Sequence, residues 1–108
     1  MICYNQSVKK ILAVSGGIDS MVLLERFFRD EPENIVVAHF NHGTRTSADL
    51  DEQFVFSRCK ELKVPFETMK VMLGEGISEE LARQKRYDFL YQVANKYGGE
   101  IYTAHHLD

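Results

Sequence analysis

Basic charge is what this sequence has too little of. Lysine and arginine number 13 against 16 aspartates and glutamates, leaving a formal charge of −3 and a pI near 5.8. A surface whose main task is to coat nucleic acid needs clustered Lys and Arg, so that class is excluded, and any RNA contact must be local or made by other parts of a longer chain. Cysteine is scarce as well. Cys3 and Cys59 lie far apart with no CxxC spacing, which excludes a disulfide framework and a zinc ribbon; Cys59 reads as a small buried residue and Cys3 as a near-terminal thiol. No apolar run reaches membrane-spanning length, and the opening MICYNQSVKK lacks the basic-then-apolar order of a targeting segment, so the expectation is a cytoplasmic protein without membrane contact. Internal repeats and low-complexity segments are missing too. What remains is an ordinary globular composition, 108 residues with 44% hydrophobic and 27% charged, enough for one core and not for two.

The apolar pattern divides the chain into alternating strands and helices. Val8 to Val14 ends in consecutive apolar residues and is short, as a strand covered on both faces should be. From Ser20 to Arg29, Val22, Leu23, Leu24, Phe27 and Phe28 recur at helical spacing, and Pro32 disfavours helix at the residue before it. Asn34 to Phe40 is a second buried strand. A second helix is expected to begin near Thr46 or Ser47, with Asp49, Asp51 and Glu52 in its first turns and Phe54, Val55, Cys59 and Leu62 as its inward stripe. A third strand opens at Pro65 with PFETMKVM, mixed enough in polarity to lie near a sheet edge. The third helix runs from a Ser78 cap to about Tyr97, stopped by Gly98 and Gly99, and Glu100 to Ala104 is a fourth strand. The order β-α-β-α-β-α-β with short links predicts an α/β fold, a three-layer Rossmann-like parallel sheet with helices on both faces. Ligands in such sheets bind beyond the carboxyl ends of the strands, where strand order reverses.

That rim collects the polar residues that interrupt otherwise apolar segments, above all the stretch SGGIDS between two buried runs. Glycines directly after a strand let the backbone turn tightly with its N–H groups outward, and the following helix adds its positive end; together these make an anion cradle. Ser15 and Ser20 add hydroxyls without charge. Asp19 is the anomaly, because a carboxylate beside a phosphate repels it unless a divalent cation lies between, so Asp19 reads as a Mg2+ partner. A Walker A loop needs G-x-x-x-x-G-K-[ST], and no lysine follows these glycines. A dinucleotide fingerprint needs G-x-G-x-x-G and an acid after the second strand, where His39 and Asn41 stand instead. On the third helix, Leu90, Val93, Ala94 and Tyr97 form the core stripe. Stepping back along it reaches Arg86 and Arg83, guanidiniums that either snorkel past their stems or aim at an anion.

Ser15 to Ser20 matches the SGGxDS signature of the PP-loop ATP pyrophosphatases. HFNHGTR (His39 to Arg45), ARQKRY (Ala82 to Tyr87) and TAHHLD (Thr103 to Asp108) narrow the resemblance to the N-terminal part of the tRNA(Ile)-lysidine synthetase family, almost from end to end. The family pattern reads HxNHGLR, and Thr44 here replaces the leucine. It continues as AHHxDDxxET, of which this sequence carries only the first acid, Asp108.

The resemblance implies an N-terminal portion of an ATP-pyrophosphatase domain over residues 1–108, incomplete at its C-terminal side, with tRNA-binding domains elsewhere. It implies ATP and Mg2+ as cofactors, and free L-lysine and tRNA(Ile) with a CAU anticodon as partners; an oligomer is possible through the open sheet edge. By the same resemblance, Ser15, Gly16, Gly17, Ile18, Asp19 and Ser20, with Asn41 and His42, hold the nucleotide, Arg45 being a further candidate. Asp19 and Asp108 face the metal, and Asp19, Arg83, Arg86 and His106 act in the chemistry. The implied reaction joins lysine to C2 of the wobble cytidine after adenylation by ATP, releasing pyrophosphate and then AMP. Other PP-loop adenylating enzymes, such as a tRNA thiolase or an amidotransferase-type synthetase, and a non-catalytic ATP-binding module share the first motif. A two-thiocytidine thiolase would normally carry paired CxxC cysteines.

Overall fold

The computed structural model describes residues 8–41, 46–71 and 79–104. His42, Arg45, Ser78, His105, His106 and Asp108, and Cys3 near the start, lie outside them. The elements follow the expected order: β1 (Lys10–Ala13), α1 (Ile18–Asp30), β2 (Ile35–Asn41), α2 (Thr46–Leu62), β3 (Phe66–Lys70), α3 (Glu79–Tyr97) and β4 (Glu100–Thr103). All four strands are parallel in the order β3-β2-β1-β4, with Leu12 beside Val37 on one flank and Tyr102 on the other. The fold is thus the Rossmann-like α/β sheet the alternation predicts, with β3 at an edge as its mixed polarity suggests. After β1 the chain walks outward through β2 and β3, then returns to place β4 on the opposite side of β1. The reversal therefore falls at the carboxyl ends of β1 and β4.

Period-two alternation along the strands sorts the core into two layers. Leu12, Val14, Ile35 and Val37 face Leu24 of α1 and Val55 and Cys59 of α2, whereas Ile11, Val36 and Ala38 face Phe89, Leu90 and Val93 of α3. Ile11, Leu12, Ile35, Val36 and Val37 are completely buried, which is why β1 and β2 read as continuous apolar runs. Burial of Leu24, also complete, contributes about 1.5–3 kcal/mol. Desolvation pushes the Cys59 thiol up to about 11, so it behaves as a small apolar residue.

Two residues assigned to helix stripes face solvent instead. Val22 is 51% exposed and Phe54 55% exposed. On α1, Leu24 points inward, which turns Val22 two residues earlier to the far side. On α2, the inward position is taken by Val55, and its neighbour Phe54 is rotated off the core by one helical step.

Ion pairs and hydrogen bonds link neighbouring elements. Arg58 of α2 donates from Nε and Nη2 to the two carboxylate oxygens of Glu25 on α1, at 2.7 and 3.0 Å. This fork lowers the Glu25 pKa below the usual carboxylate range. Across the sheet, Glu67 of β3 accepts from Tyr97 Oη at 2.6 Å and from Lys96 Nζ at 2.9 Å. Gly99 is required by packing, because a Cβ there would run into the Lys9 carbonyl. No helix among the described residues is long and apolar enough to cross a membrane.

Candidate functional site

The loop after β1 is organised by its own serines. Gly16 turns the chain at φ 101°, a region that side chains rarely enter, and a Cβ there would lie 3.3 Å from Cβ of Asp51 on α2. Ser20, buried in the first turn of α1, accepts the amides of Ser15 and Gly16 on Oγ at 3.1 and 3.2 Å and donates to the Gly17 carbonyl at 3.0 Å. Ser15 Oγ in turn accepts the Gly17 amide at 3.3 Å. The loop amides are thus held by rotatable hydroxyls rather than by main-chain carbonyls. A hydroxyl can turn away when a stronger, charged acceptor arrives, so these N–H groups are placed and still exchangeable.

Helix α1 adds its own end. Gly17 is the N-cap and brings no side-chain cap, so the first-turn N–H groups, which lack intrahelical acceptors, face outward with the positive end of the dipole. Ile18 and Asp19 open the helix, both exposed, with the Asp19 carboxylate in the first turn. The helix therefore begins two residues earlier than its apolar pattern suggests, and Asp19 belongs to it.

Above the loop, a cavity of about 70 Å³ opens at the carboxyl ends of β1 and β4, lined by Val14, Ser15, Phe40, Arg86, Tyr87 and Thr103 among others. This is the reversal point of the sheet. Arg86 reaches it half-buried, its guanidinium carbon 5.3 Å from the centroid of the Tyr87 ring, an arrangement that orients a cation while leaving its N–H fork free for an anion. Arg83, one turn earlier, is exposed and does not line this cavity. The structure thus brings Ser15 and Arg86 to one opening and sets Arg83 outside it.

The mouth of β2 is arranged differently. Strand β2 runs to Asn41, which is 1% exposed, and Asn41 Nδ2 donates to Asp49 Oδ1 and Glu52 Oε1 of α2, both at 3.0 Å. The amide of Asn41, helped by Lys70 at 3.1 Å, lowers the Asp49 pKa below the ordinary range. His39, 3% exposed, is hydrogen-bonded through Nδ1 to the Val14 carbonyl at 2.8 Å. Since a carbonyl only accepts, that nitrogen carries the proton, and the ring pins β2 to the last residue before the loop. Sequence reasoning missed Asp51 and Val55 as the wall behind Gly16, and Thr103 and Phe40 as lining. The acids of α2 were legible only as helix-dipole partners.

No group of three or more His, Cys, Asp or Glu among the described residues could hold a metal by itself. Asp19, exposed beside the outward amides, fits a different mode. Mg2+ retains waters and takes one or two carboxylates together with phosphate oxygens, so a cation here would be shared with a bound polyphosphate.

The profile of the PP-loop domain family (ATP_bind_3) matches residues 2–108. The chain belongs to the PP-loop family. Among curated relatives of this PP-loop domain, the tRNA(Ile)-lysidine synthase of Petrotoga mobilis is 39% identical, over 97% of this chain and 37% of the relative. That of Thermus thermophilus is 42% identical, over 91% of this chain and 20% of the relative. The chain therefore spans from about a fifth to somewhat over a third of those relatives' length. Among solved structures, the U34-tRNA thiolase NcsA of Methanococcus maripaludis superposes with a TM-score of 0.75 at 18% identity, covering 93% of this chain and 38% of that one. The NH3-dependent NAD synthetase of Campylobacter jejuni gives 0.69 at 18% identity, covering 89% and 46%. These two likenesses show the PP-loop fold.

Proposed function

We propose that this PP-loop domain is the nucleotide-activating portion of an enzyme that adenylates the wobble cytidine of tRNA(Ile) and joins lysine to its C2, with residues 15–20 holding the pyrophosphate part of ATP. The observation that supports it most is the loop itself, where amides of Ser15, Gly16 and Gly17 rest on serine hydroxyls beside an uncapped helix end. The lysidine-synthase relatives at 39–42% identity supply the substrate class.

In this reading the chain acts chiefly by electrostatic positioning. As the cytosine carbonyl oxygen attacks the α-phosphate, negative charge grows on the departing pyrophosphate, and the loop amides, freed from the serine hydroxyls when the nucleotide binds, stabilise it. Ser15 and Ser20 turn their hydroxyls toward phosphate oxygens as they release the amides. Arg86, oriented by Tyr87 at the reversal point, offsets charge on the α-phosphate and later on AMP, while the exposed Arg83 contributes from the rim. Asp19 would hold magnesium, which would supply charge neutralisation for the polyphosphate, with Asp108 a second candidate for it. Asn41 shapes the pocket by fixing α2 to β2. His42 and Arg45 are further candidates to hold the nucleotide, and His106 is a candidate to take the proton from the attacking lysine amine. With a net charge of −3, tRNA grip is assigned to basic surfaces outside these 108 residues. In this reading the enzyme works in the cytoplasm, where its tRNA substrate is.

The test is AMP production dependent on both lysine and tRNA(Ile). The full-length enzyme carrying this domain is expected to release AMP only when both are present, and to lose that turnover on Asp19→Ala. The 108-residue chain alone is expected to bind ATP weakly and modify no tRNA. Magnesium-dependent ATP binding without pyrophosphate release in the full-length protein would instead support a non-catalytic binding module.

A further inference from the structure

His39 opens the stretch HFNHGTR, yet it takes no part in the proposed chemistry. It is buried on β2, beside the point where β1 gives way to the loop. A buried imidazole needs its polar atoms matched, and the partner it has is a main-chain carbonyl. The Val14 amide still follows the ladder, donating to the Ala38 carbonyl at 3.0 Å. The Val14 carbonyl accepts from His39 Nδ1 at 2.8 Å. One residue further on, the amides of Ser15 and Gly16 rest on the rotatable Ser20 hydroxyl. His39 thus makes the last firm hold before the chain passes to exchangeable contacts.

The Val14 carbonyl and the Ser15 N–H belong to one planar peptide group, trans in this structure, in which the two point in opposite directions. Holding the oxygen therefore aims the hydrogen. With the carbonyl drawn to the imidazole on β2, the Ser15 N–H is turned the other way, to Ser20 Oγ at 3.1 Å. The ring is itself kept in place. Phe66 of β3 stacks on it with centroids 6.3 Å apart and planes 23° from parallel, and Phe56 of α2 meets Phe66 edge-on at 5.5 Å. We infer that His39 is a positioning residue for the phosphate loop: through the Val14 carbonyl it sets the direction of the Ser15 amide, so that this N–H meets a phosphate oxygen once the Ser20 hydroxyl turns away. The inference rests on the nucleotide reading of residues 15–20. In it His39 touches neither ATP nor the reacting atoms. Its contribution is that the rotation of one peptide group is settled before the ligand arrives, so binding does not have to arrest it.

Two variants of the full-length enzyme separate the donor from the ring. His39→Phe keeps an aromatic ring against Phe66 and lacks the donor. His39→Asn loses the ring and places an N–H as many bonds from Cβ as Nδ1 is. Should the Phe variant not fold, His39→Leu takes its place as the variant without a donor. Amide hydrogen exchange of the loop without nucleotide, and calorimetric titration with Mg·ATP, read the two links in turn. In His39→Phe the amides of residues 15 and 16 are expected to exchange about tenfold faster and Mg·ATP to bind about tenfold more weakly, with His39→Asn restoring both to within about threefold of wild type. Unchanged exchange in His39→Phe would overturn the inference and leave the nucleotide reading standing. So would an Asn variant as impaired as the Phe variant, which would assign the effect to packing on Phe66. Faster exchange with Mg·ATP affinity intact would overturn it too, and if Ser20→Ala also left that affinity intact, the nucleotide reading would fall with it.

Discussion

The mouths of β1 and β2 lie next to each other at one rim of the sheet, and both are polar, yet one is held by neutral hydroxyls and the other by carboxylates. At β1, the amides of Ser15 and Gly16 share Ser20 Oγ, a neutral acceptor that can rotate away. At β2, the Asn41 amide is gripped by two carboxylates, one of which also pairs with Lys70. A neutral hydroxyl gives up an N–H to a phosphate oxygen at small cost, while separating an amide from two carboxylates in a buried spot costs far more. In the proposed reading, the same rim holds a receptor and a brace. The brace serves the receptor, because the helix that Asn41 anchors also presents Asp51 and Val55 as the wall behind Gly16.

The contrast can be broken most forcefully at the receptor. Gly16→Val forces a β-branched residue to φ 101° and pushes a Cβ toward Asp51; with about 1–3 kcal/mol of backbone strain, Mg·ATP affinity should fall by up to about a hundredfold, read by titration calorimetry. An unchanged affinity would mean that the loop is not the phosphate site. At the brace, Asn41→Ala should reduce unfolding free energy by about 1–3 kcal/mol while leaving ATP affinity within about threefold. The reverse outcome, full stability and lost affinity, would put Asn41 in contact with nucleotide. Ser20→Ala falls between them. It strips the shared acceptor from two amides, which should lower stability by about 1 kcal/mol and ATP affinity by about tenfold, both measurable on one sample.

The smallest effect concerns a pair far from the rim. The Tyr97 hydroxyl and the Lys96 ammonium lower the Glu67 pKa, and Glu67 in turn pushes the Tyr97 phenol up to about 12. The depressed carboxylate contributes stability that is present above its unfolded pKa near 4.5 and lost as pH falls through the folded value. The raised phenol contributes stability present below about 10 and lost as pH climbs through about 12. Tyr97→Phe should therefore lower Tm slightly between about pH 4.5 and 10, with the difference from wild type shrinking towards both extremes, and Mg·ATP binding should not change.

How much of this was legible in the sequence depended on whether a feature was local. Strand runs such as Ile35 to Ala38, the Pro32 stop and the glycines after Tyr97 fixed elements to within two or three residues, since each signal acts on its own neighbours. The tight turn between β1 and α1 was legible because glycine, serine and a helix start are contiguous. Which face of a helix is outermost was not, because Phe54 and Val55 are equally apolar and only the position of α1 decides between them. Nor could the pattern show that Asn41 meets Asp49 and Glu52, since that meeting requires β2 and α2 to be docked. Arg83 and Arg86 looked equivalent on the α3 stripe, and only the cavity over β1 and β4 separates them.

Backbone amide shifts of the isotope-labelled chain, followed by NMR during titration with Mg·ATP, test the central claim most directly. The amides of residues 15–19 are predicted to move together and saturably, with loss of the response when magnesium is withheld or in Asp19→Ala. Perturbations confined to the mouth of β2, with residues 15–19 unmoved at saturating nucleotide, would contradict it.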